Sequence, residues 1–162
     1  MKDGGLLVLV RIGGQRFAWW AAGAVAGAED GLRTGGVEGV AAMAAVTPLP
    51  GAGQGVAGML NVHGETRLVV DPRSALGLPP VTAHPDQHLL LVLGQTRFLV
   101  WVDRAEGIVS AHPAMFDALP VDGAPVVARL DGAVIPILEA RAFDPSRLPD
   151  GQRADKVADG EP

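Results

Sequence analysis

An internal duplication restricts the folds that this chain can adopt. The segment LVRIGGQRF at residues 9–17 aligns with LLVLGQTRF at residues 90–98, and GETRLVVDPR at 64–73 aligns with GAVIPILEAR at 132–141. In both copies of the second pair, an apolar run leads into an acid that is followed two residues later by an arginine. Since one copy alone is too small to bury much apolar surface, the repeat predicts two similar modules that share an interface. Chance similarity between apolar strands is the alternative.

Turn residues divide the apolar sequence into short pieces. The chain has 22 glycines and 13 prolines among 162 residues, and short apolar runs bounded by such residues are typical of an all-β sandwich or barrel. Gly13 and Gly14 supply the positive φ angles of a tight hairpin. The pattern predicts strands at residues 6–12, 15–20, 59–62, 65–70, 88–93, 96–102, 126–130 and 133–138.

A short helix is predicted after the strand at residues 65–70. Asp71 has the chemistry of a helix N-cap, and Pro72 suits the first helical position. Gly77 is placed to end the helix, which would then have roughly one and a half turns at about 3.6 residues per turn. Asp71 is therefore interpreted as a structural cap and not as a catalytic carboxylate.

Two segments carry no strand pattern. Residues 22–36 are rich in alanine and glycine and form either a short helix with a glycine loop or a disordered insertion. Residues 144–162 are polar and rich in proline, aspartate and glycine, which predicts a flexible C-terminal tail. Trp19 and Trp20 precede the insertion; burial in a core or an interface is favoured over an exposed contact surface.

Composition excludes several classes of protein. The net charge is −5 and the only lysines are Lys2 and Lys156, which argues against a nucleic-acid surface. The longest uncharged apolar run near the start has 12 residues, whereas a membrane span needs about 20. There is no cysteine for a disulfide, a thiolate metal site or a nucleophile. We expect a cytoplasmic protein that does not insert directly into a membrane.

Motifs for catalysis or cofactor binding are weak. GQGVAG at residues 53–58 fits the spacing of a dinucleotide loop, but such a loop must lie between a strand and a helix, and here a strand follows. The four histidines have no metal-ligand spacing, and no serine lies in a nucleophile elbow. We expect neither catalysis nor a bound cofactor or metal.

Several motifs together resemble the CheW-like chemotaxis coupling proteins. They are TPLP at residues 47–50, GMLNVHGE at 58–65, LVVDPR at 68–73 and LGLP at 76–79. In the second half, FLVWVDRAEGIV at 98–109 is similar to the family's strand that leads into V-D-x-[AV]-x-G-[IV]. The resemblance spans residues 6–143, and the combination of the Asn61 and Asp71 blocks makes it fairly specific.

The resemblance implies a fold without catalytic activity. Family members have two packed, SH3-like, five-stranded β barrels and bridge chemoreceptors to a histidine kinase whose regulatory domain has the same fold. The expected organisation is one domain over residues 1–143. One module would hold residues 20–85 with the insertion at 22–36, and the other residues 1–19 and 86–143. The expected partners are the kinase regulatory domain and the cytoplasmic tip of a chemoreceptor, which would bind in a groove between the barrels.

The resemblance also indicates which residues contact a partner. This chain has His63 where the family pattern N-[LV]-R-G has arginine, and its acid Glu38 lies one residue earlier than in V-x-E-[IV]. These differences suggest a divergent member of a chemotaxis or pilus-motility pathway. The predicted receptor or kinase contacts are Val37, Glu38, Val40, Asn61, Val62, His63 and Gly64.

Two other functions stay open. The chain could be a regulatory copy that binds the kinase without engaging receptors, which the missing arginine favours. It could instead be a small-molecule-binding barrel with Trp19, Trp20 and Trp101 lining a pocket.

Overall fold

The structure is a computed structural model that describes residues 5–23, 35–53, 55–116 and 127–147. It contains ten strands, one short helix and two 3₁₀ turns within these ranges, and five of the strands predicted from the sequence have the predicted bounds. The elements are β1 (Leu6–Ile12), β2 (Gln15–Trp20), β3 (Gly36–Ala42), β4 (Val56–Val62), β5 (Glu65–Val70), β6 (His88–Leu93), β7 (Arg97–Val102), β8 (Arg104–Ser110), β9 (Val127–Leu130), β10 (Ala133–Leu138), α1 (Ala140–Phe143) and the 3₁₀ turns Pro113–Met115 and Pro145–Arg147.

The strands form two five-stranded sheets with equivalent topology. The first sheet has the order β8-β1-β2-β10-β9, and the second has the order β3-β6-β7-β5-β4. In each sheet the second strand of the hairpin, β2 or β7, pairs in parallel with a strand from the other repeat, β10 or β5 respectively. The all-β fold with two five-stranded units is thus confirmed, and each sequence repeat contributes its hairpin to one sheet and its next three strands to the other.

The membership of the sheets differs from the expected division in one respect. The sequence predicts that residues 86–143 share a module with residues 1–19. In the structure β6 and β7, which lie within residues 86–143, pair instead with β3 and β5 in the second sheet. Most residues of β6 and β7 are buried, so their apolar pattern does not reveal which sheet they join. The extent of the domain as residues 1–143 stays a prediction.

Strand alternation separates three apolar clusters. Along β1, Leu7 and Leu9 point into the core of the first sheet, whereas Val8 and Val10 point into the interface between the sheets. The interface cluster also contains Leu90, Val92, Phe98 and Val100 from the second sheet. Burial of these side chains on both faces of each hairpin holds the two units together, since apolar area removed from water contributes about 25 cal/mol per Å².

The tryptophans are buried, as favoured from the sequence. Trp19 is completely buried in the interface, where its ring lies 5.2 Å from that of Phe143. Trp20 belongs to the core of the first sheet and Trp101 to that of the second. The three side chains therefore lie in three different clusters and do not line a common pocket.

The segment after β3 brings the two edges of the second sheet together. Thr47 and Met59 exchange two backbone hydrogen bonds of 2.9 Å, so that the chain leaving β3 meets β4 at the opposite edge. Gly58 makes this approach possible, because a Cβ atom there would overlap the carbonyl oxygen of Thr47. Apart from this contact, β3 and β4 are not paired with each other among the described residues, and they form the two edges of the second sheet.

The expected helix after β5 is replaced by hydrogen-bonded turns. Residues 72–77 have turn geometry and no regular helix. Asp71 still accepts the backbone N–H of Arg73 at 3.0 Å, as a cap does, and the same oxygen accepts a second hydrogen bond from the Arg73 guanidinium. The prolines at 79 and 80 leave too little chain for a helix to propagate beyond its costly first turn.

Arg73 joins the two sheets. Its side chain is fully buried and donates to Asp71 Oδ1 at 3.0 Å and to Asp103 Oδ1 at 2.6 Å. The other oxygen of Asp103 accepts the N–H of Gly13, at 2.8 Å, in the β1–β2 turn. The guanidinium also lies 4.8 Å from the ring centre of Trp101. This turn of the first sheet is thereby tied to the ends of β5 and β7 in the second sheet.

Asp144 holds the equivalent turn of the second hairpin. It is fully buried and accepts the N–H groups of Gln95 and Thr96 at 2.7 and 3.1 Å. Its other oxygen accepts hydrogen bonds from the Thr96 hydroxyl and from the N–H and hydroxyl of Ser146. Residue 144 was expected to begin the flexible tail, but it is an anchored position; residues 148–162 lie outside the described ranges, as do residues 24–34 of the insertion.

Candidate partner-binding surface

A groove of about 430 Å³ opens where β3 of the second sheet lies beside β1 and β8 of the first. The segment that follows β2 forms its floor, since Ala22 donates a 2.8 Å backbone hydrogen bond to Val37. Aliphatic side chains dominate the lining, with one carboxylate. The lining residues are Val8, Ala21, Ala22, Val37, Glu38, Gly39, Val40 and Ile108.

Three of the predicted contact residues line this groove. Val40 is 46% exposed, and Glu38 lies beside it on β3. Val37 is only 5% exposed because its side chain packs in the interface cluster. A substitution at Val37 would consequently test folding more than binding, whereas Val40 can meet a partner directly.

The other four predicted residues lie on a separate surface. Asn61, His63 and Gly64 are exposed at the turn between β4 and β5, while Val62 points into the core of the second sheet. His63 and Gly64 have φ angles of 52° and 84°, as a two-residue hairpin turn requires. The Asn61 side chain stabilises the turn by accepting the Gly64 N–H at 3.1 Å. None of these four residues lines the groove.

Arg97 at the start of β7 fixes the position of Glu38. The guanidinium makes two hydrogen bonds to the carboxylate, with Nε–Oε1 and Nη2–Oε2 distances of 3.1 and 3.4 Å. The pKa of Arg97 is raised, first by the hydrogen bond to Glu38 and then by the charge of that carboxylate. Glu38 is consequently a paired anion on the groove wall, and half of the Arg97 side chain is exposed beside it.

A second ion-pair cluster lies on the first sheet. Glu106 of β8 accepts hydrogen bonds from Arg11 at 2.9 Å and from Arg16 at 3.2 Å. Burial alone would raise the pKa of Glu106, but the hydrogen bonds and charges of the two arginines outweigh it and lower the pKa. The lowered pKa keeps Glu106 ionised at neutral pH.

The sequence reasoning missed one prominent groove residue. Ile108 on β8 is 62% exposed, the highest value among the exposed large hydrophobic residues. The sequence does contain a signal that could have identified Ile108: EGI at residues 106–108 repeats the tripeptide EGV at residues 38–40, with isoleucine in place of valine. Three residues are too few to distinguish such a match from chance without the register of the strands.

Neither a membrane-spanning helix nor a metal cluster is found in the part of the chain that the structure describes. No helix there is long and apolar enough to cross a membrane. No group of three or more His, Asp or Glu side chains there could hold a metal ion. β4 begins at Val56, within the segment at residues 53–58, so this segment leads into a strand and not into a helix.

Comparisons with known proteins agree with this architecture. A sequence model of the CheW-like domain matches residues 24–144. The crystal structure of the scaffolding protein TtCheW from Thermoanaerobacter tengcongensis has a similar fold, with a TM-score of 0.65 and 14% sequence identity; the similarity covers 85% of this chain and 90% of that chain. A search of curated proteins gave no significant match.

Proposed function

This chain belongs to the CheW-like domain family, and from that premise we propose that it is a non-catalytic adaptor that couples a chemoreceptor to a histidine kinase. We expect such an adaptor to act in the cytoplasm, in a chemotaxis or pilus-motility pathway. The observation that carries the proposal is the aliphatic groove between the two sheets. We assign this groove to the receptor tip.

The chemistry of the groove suits a helical partner. Val40 and Ile108 expose aliphatic surface on the two strands that line the groove, and Glu38 adds one carboxylate beside Val40. An amphipathic helix that binds in a groove buries its apolar face between such walls and leaves its polar face in water. Exposed aliphatic side chains rimmed by polar groups are characteristic of interaction sites.

The turn at residues 61–64 offers a second surface for the kinase regulatory domain. Asn61, His63 and Gly64 are exposed there and lie outside the groove. A receptor and a kinase domain could thus bind at the same time, which an adaptor requires. We propose this turn, at the edge strand β4, as part of the kinase contact.

Titration calorimetry of the full chain tests both assignments. The regulatory domain of a histidine kinase and the cytoplasmic tip fragment of a chemoreceptor, both from the same organism, are titrated separately and then together. We expect one-to-one binding of each and no competition between them. Val40→Asp should weaken only the tip, and His63→Glu only the kinase domain. Competition between the two ligands would contradict the assignment of separate surfaces.

The same titrations discriminate the alternative functions. Kinase binding without tip binding would identify a regulatory copy that does not engage receptors. The small-molecule alternative has less support, because Trp19, Trp20 and Trp101 pack in three separate clusters.

A further inference from the structure

Three arginines lie in a row across three neighbouring strands of the first sheet. Arg11 of β1 lies directly opposite Arg16 of β2 on one side and directly opposite Arg104 of β8 on the other. Residues directly opposite each other on antiparallel strands point to the same face of the sheet, with Cβ atoms about 4.5–5.5 Å apart. The three guanidinium groups, called the arginine row below, therefore share one face.

Glu106 orients two members of the row. One of its carboxylate oxygens accepts a hydrogen bond from Nε of Arg11 at 2.9 Å, and the other accepts one from Nε of Arg16 at 3.2 Å. Nη1 of Arg11 also donates to the carbonyl oxygen of Gly14 at 3.1 Å. Among the described residues, Nη2 of Arg11 and both terminal nitrogens of Arg16 have no acceptor. Glu106 thus fixes two guanidinium groups and leaves their outer donors available.

Arg104 has no carboxylate of its own. Its side chain is exposed and forms no hydrogen bond or ion pair with any residue that the structure describes. The preceding acid, Asp103, is paired with the buried Arg73 and accepts the N–H of Gly13. The arginine row therefore has three positive charges and only Glu106 bonded to it, an excess of two, although the chain as a whole carries −5.

Stability of the fold does not explain this arrangement. Like charges that lie directly opposite each other on neighbouring strands destabilise a sheet. Arg104 offsets none of this cost, because its side chain bonds to nothing in the described part of the chain. A bound anion would offset it by neutralising the excess charge and accepting hydrogen bonds from the available donors.

We propose that the arginine row binds the phosphate group of a small soluble anion, such as a phosphate monoester or a diphosphate. A terminal phosphate offers three oxygens, one for each guanidinium, and its charge of about −1.5 to −2 at neutral pH matches the excess of the row. A carboxylate offers two oxygens and one negative charge. Arginine is suited to this role because its planar fork matches phosphate geometry.

The charge distribution favours a small ligand over an anionic membrane. A small anion bound at the row interacts mainly with the three arginines, since salt screens exposed charges beyond a Debye length of about 8 Å. A membrane of anionic lipids would also meet the surrounding surface of a chain that carries −5, which opposes its binding. None of the three arginines lines the groove, so this inference goes beyond the proposed adaptor function and does not depend on it.

Titration calorimetry of the full chain with inorganic pyrophosphate tests the inference. Inorganic phosphate, acetate and vesicles of phosphatidylglycerol are titrated in parallel at the same ionic strength. We expect one-to-one binding of pyrophosphate, and binding of acetate that is weaker by about tenfold or more. Arg104→Gln should weaken pyrophosphate binding about tenfold, as loss of a hydrogen bond between charged groups does. Arg104→Lys should restore part of the affinity because it retains the charge.

Arg141→Gln is the matched control. Arg141 is also an exposed arginine, but it lies on α1 outside the row. This variant should bind pyrophosphate like the wild type. Without the anion, thermal unfolding of Arg104→Gln should match that of the wild type, since the side chain makes no described contact. Pyrophosphate should raise the unfolding temperature of the wild type and of the control more than that of Arg104→Gln.

Several results would overturn the inference. Equal weakening by Arg104→Gln and Arg141→Gln would indicate diffuse attraction and no local site. Acetate that binds as tightly as pyrophosphate would exclude recognition of phosphate, and tighter binding to the vesicles would assign the row to a membrane. A less stable Arg104→Gln without anion would indicate a structural role. Failure of the wild type to bind pyrophosphate would reject the site and leave the adaptor function to its own titrations.

Discussion

The two hairpin turns of the molecule occupy equivalent places in the repeat, yet they are held by different chemistry. In the first, Asp103 accepts the N–H of Gly13 and shares its other oxygen with the buried Arg73. In the second, Asp144 accepts five hydrogen bonds from backbone N–H and hydroxyl groups of residues 95, 96 and 146. In both turns, the free N–H groups donate hydrogen bonds to a carboxylate that lies far away in the sequence.

Because of this difference, the Arg73 cluster and Asp144 contribute to the stability of the fold in different ways. The Arg73 cluster connects three segments through one cation, so loss of the cation leaves two carboxylates close together without a counter-charge. Asp144 is stabilised by dipoles alone. Burial raises its pKa, but the hydrogen bonds from Ser146 and Thr96 outweigh burial and hold the pKa below its usual value. The stabilising effect of the Arg73 cluster should therefore depend on the arginine, and that of Asp144 should depend on pH.

The largest expected effect follows removal of the buried cation. Arg73→Met should lower the free energy of unfolding by about 3 kcal/mol, the lower end of the range for breaking a buried ion pair, because Asp71 and Asp103 remain partly exposed to water. Urea denaturation followed by tryptophan fluorescence measures the change. Arg97→Met is the control, since that ion pair lies at the surface. An equal, small effect of both substitutions would contradict the bridging role of Arg73.

Loss of the carboxylate at the second turn should rank next. Asp144→Ala removes the common acceptor of the N–H and hydroxyl donors of Gln95, Thr96 and Ser146, and each such group left unsatisfied costs about 1–3 kcal/mol unless water reaches it. We expect a total loss of about 2 kcal/mol in urea denaturation, since water can enter the space left by the side chain. Asp144→Asn keeps one carbonyl acceptor and should cost less. A variant as stable as the wild type would show that the turn does not need the carboxylate.

The pH dependence of stability distinguishes Asp144 from the Arg73 cluster. The pKa of folded Asp144 lies below that of an unfolded aspartate, which is about 3.9. Its stabilising contribution is therefore complete above about pH 3.9 and is lost as the pH falls through the folded pKa. The stability difference between wild type and Asp144→Asn, measured by urea denaturation at several pH values, should shrink only in acid. A constant difference down to the acid transition would contradict a lowered pKa.

The smallest effect on stability is expected at the rim of the groove. Arg97→Gln should change the free energy of unfolding little, as is usual for exposed ion pairs. Its effect on tip binding should be larger than its effect on stability, because Arg97 positions Glu38. Arg97→Lys should restore part of the affinity by retaining the charge. A loss of stability that accounts for the whole loss of binding would contradict a positioning role.

The strands missed from the sequence are those that form the groove. Neither β3 nor β8 was among the strands predicted from apolar runs, although eight others were identified. β8 contains only exposed and half-buried residues, because the strand lies at a sheet edge. Edge strands that face water carry little of the apolar alternation that identifies strands inside a sheet.

The candidate site was predicted only in part for the same reason. The family resemblance identified Val40 and Glu38, which line the groove, and the turn at Asn61–Gly64, which does not. It did not identify Ile108, whose importance depends on the register of β8 against β1. The sequence also placed Val37 and Val62 among the contacts, whereas the packing of the sheets buries both side chains.

The sequence by itself determined that this is an all-β protein with a duplicated, CheW-like organisation, because turn residues and apolar runs can be recognised from residues that are consecutive in the chain. Only the tertiary structure decided which sheet each hairpin joins, which carboxylate holds each turn, and that Val40 and Ile108 line one groove. Those features depend on contacts between residues far apart in the sequence, such as Ala18 with Ile137 and Arg11 with Glu106. Side-chain periodicity cannot specify such pairings, since several sheet partners satisfy the same apolar pattern equally well.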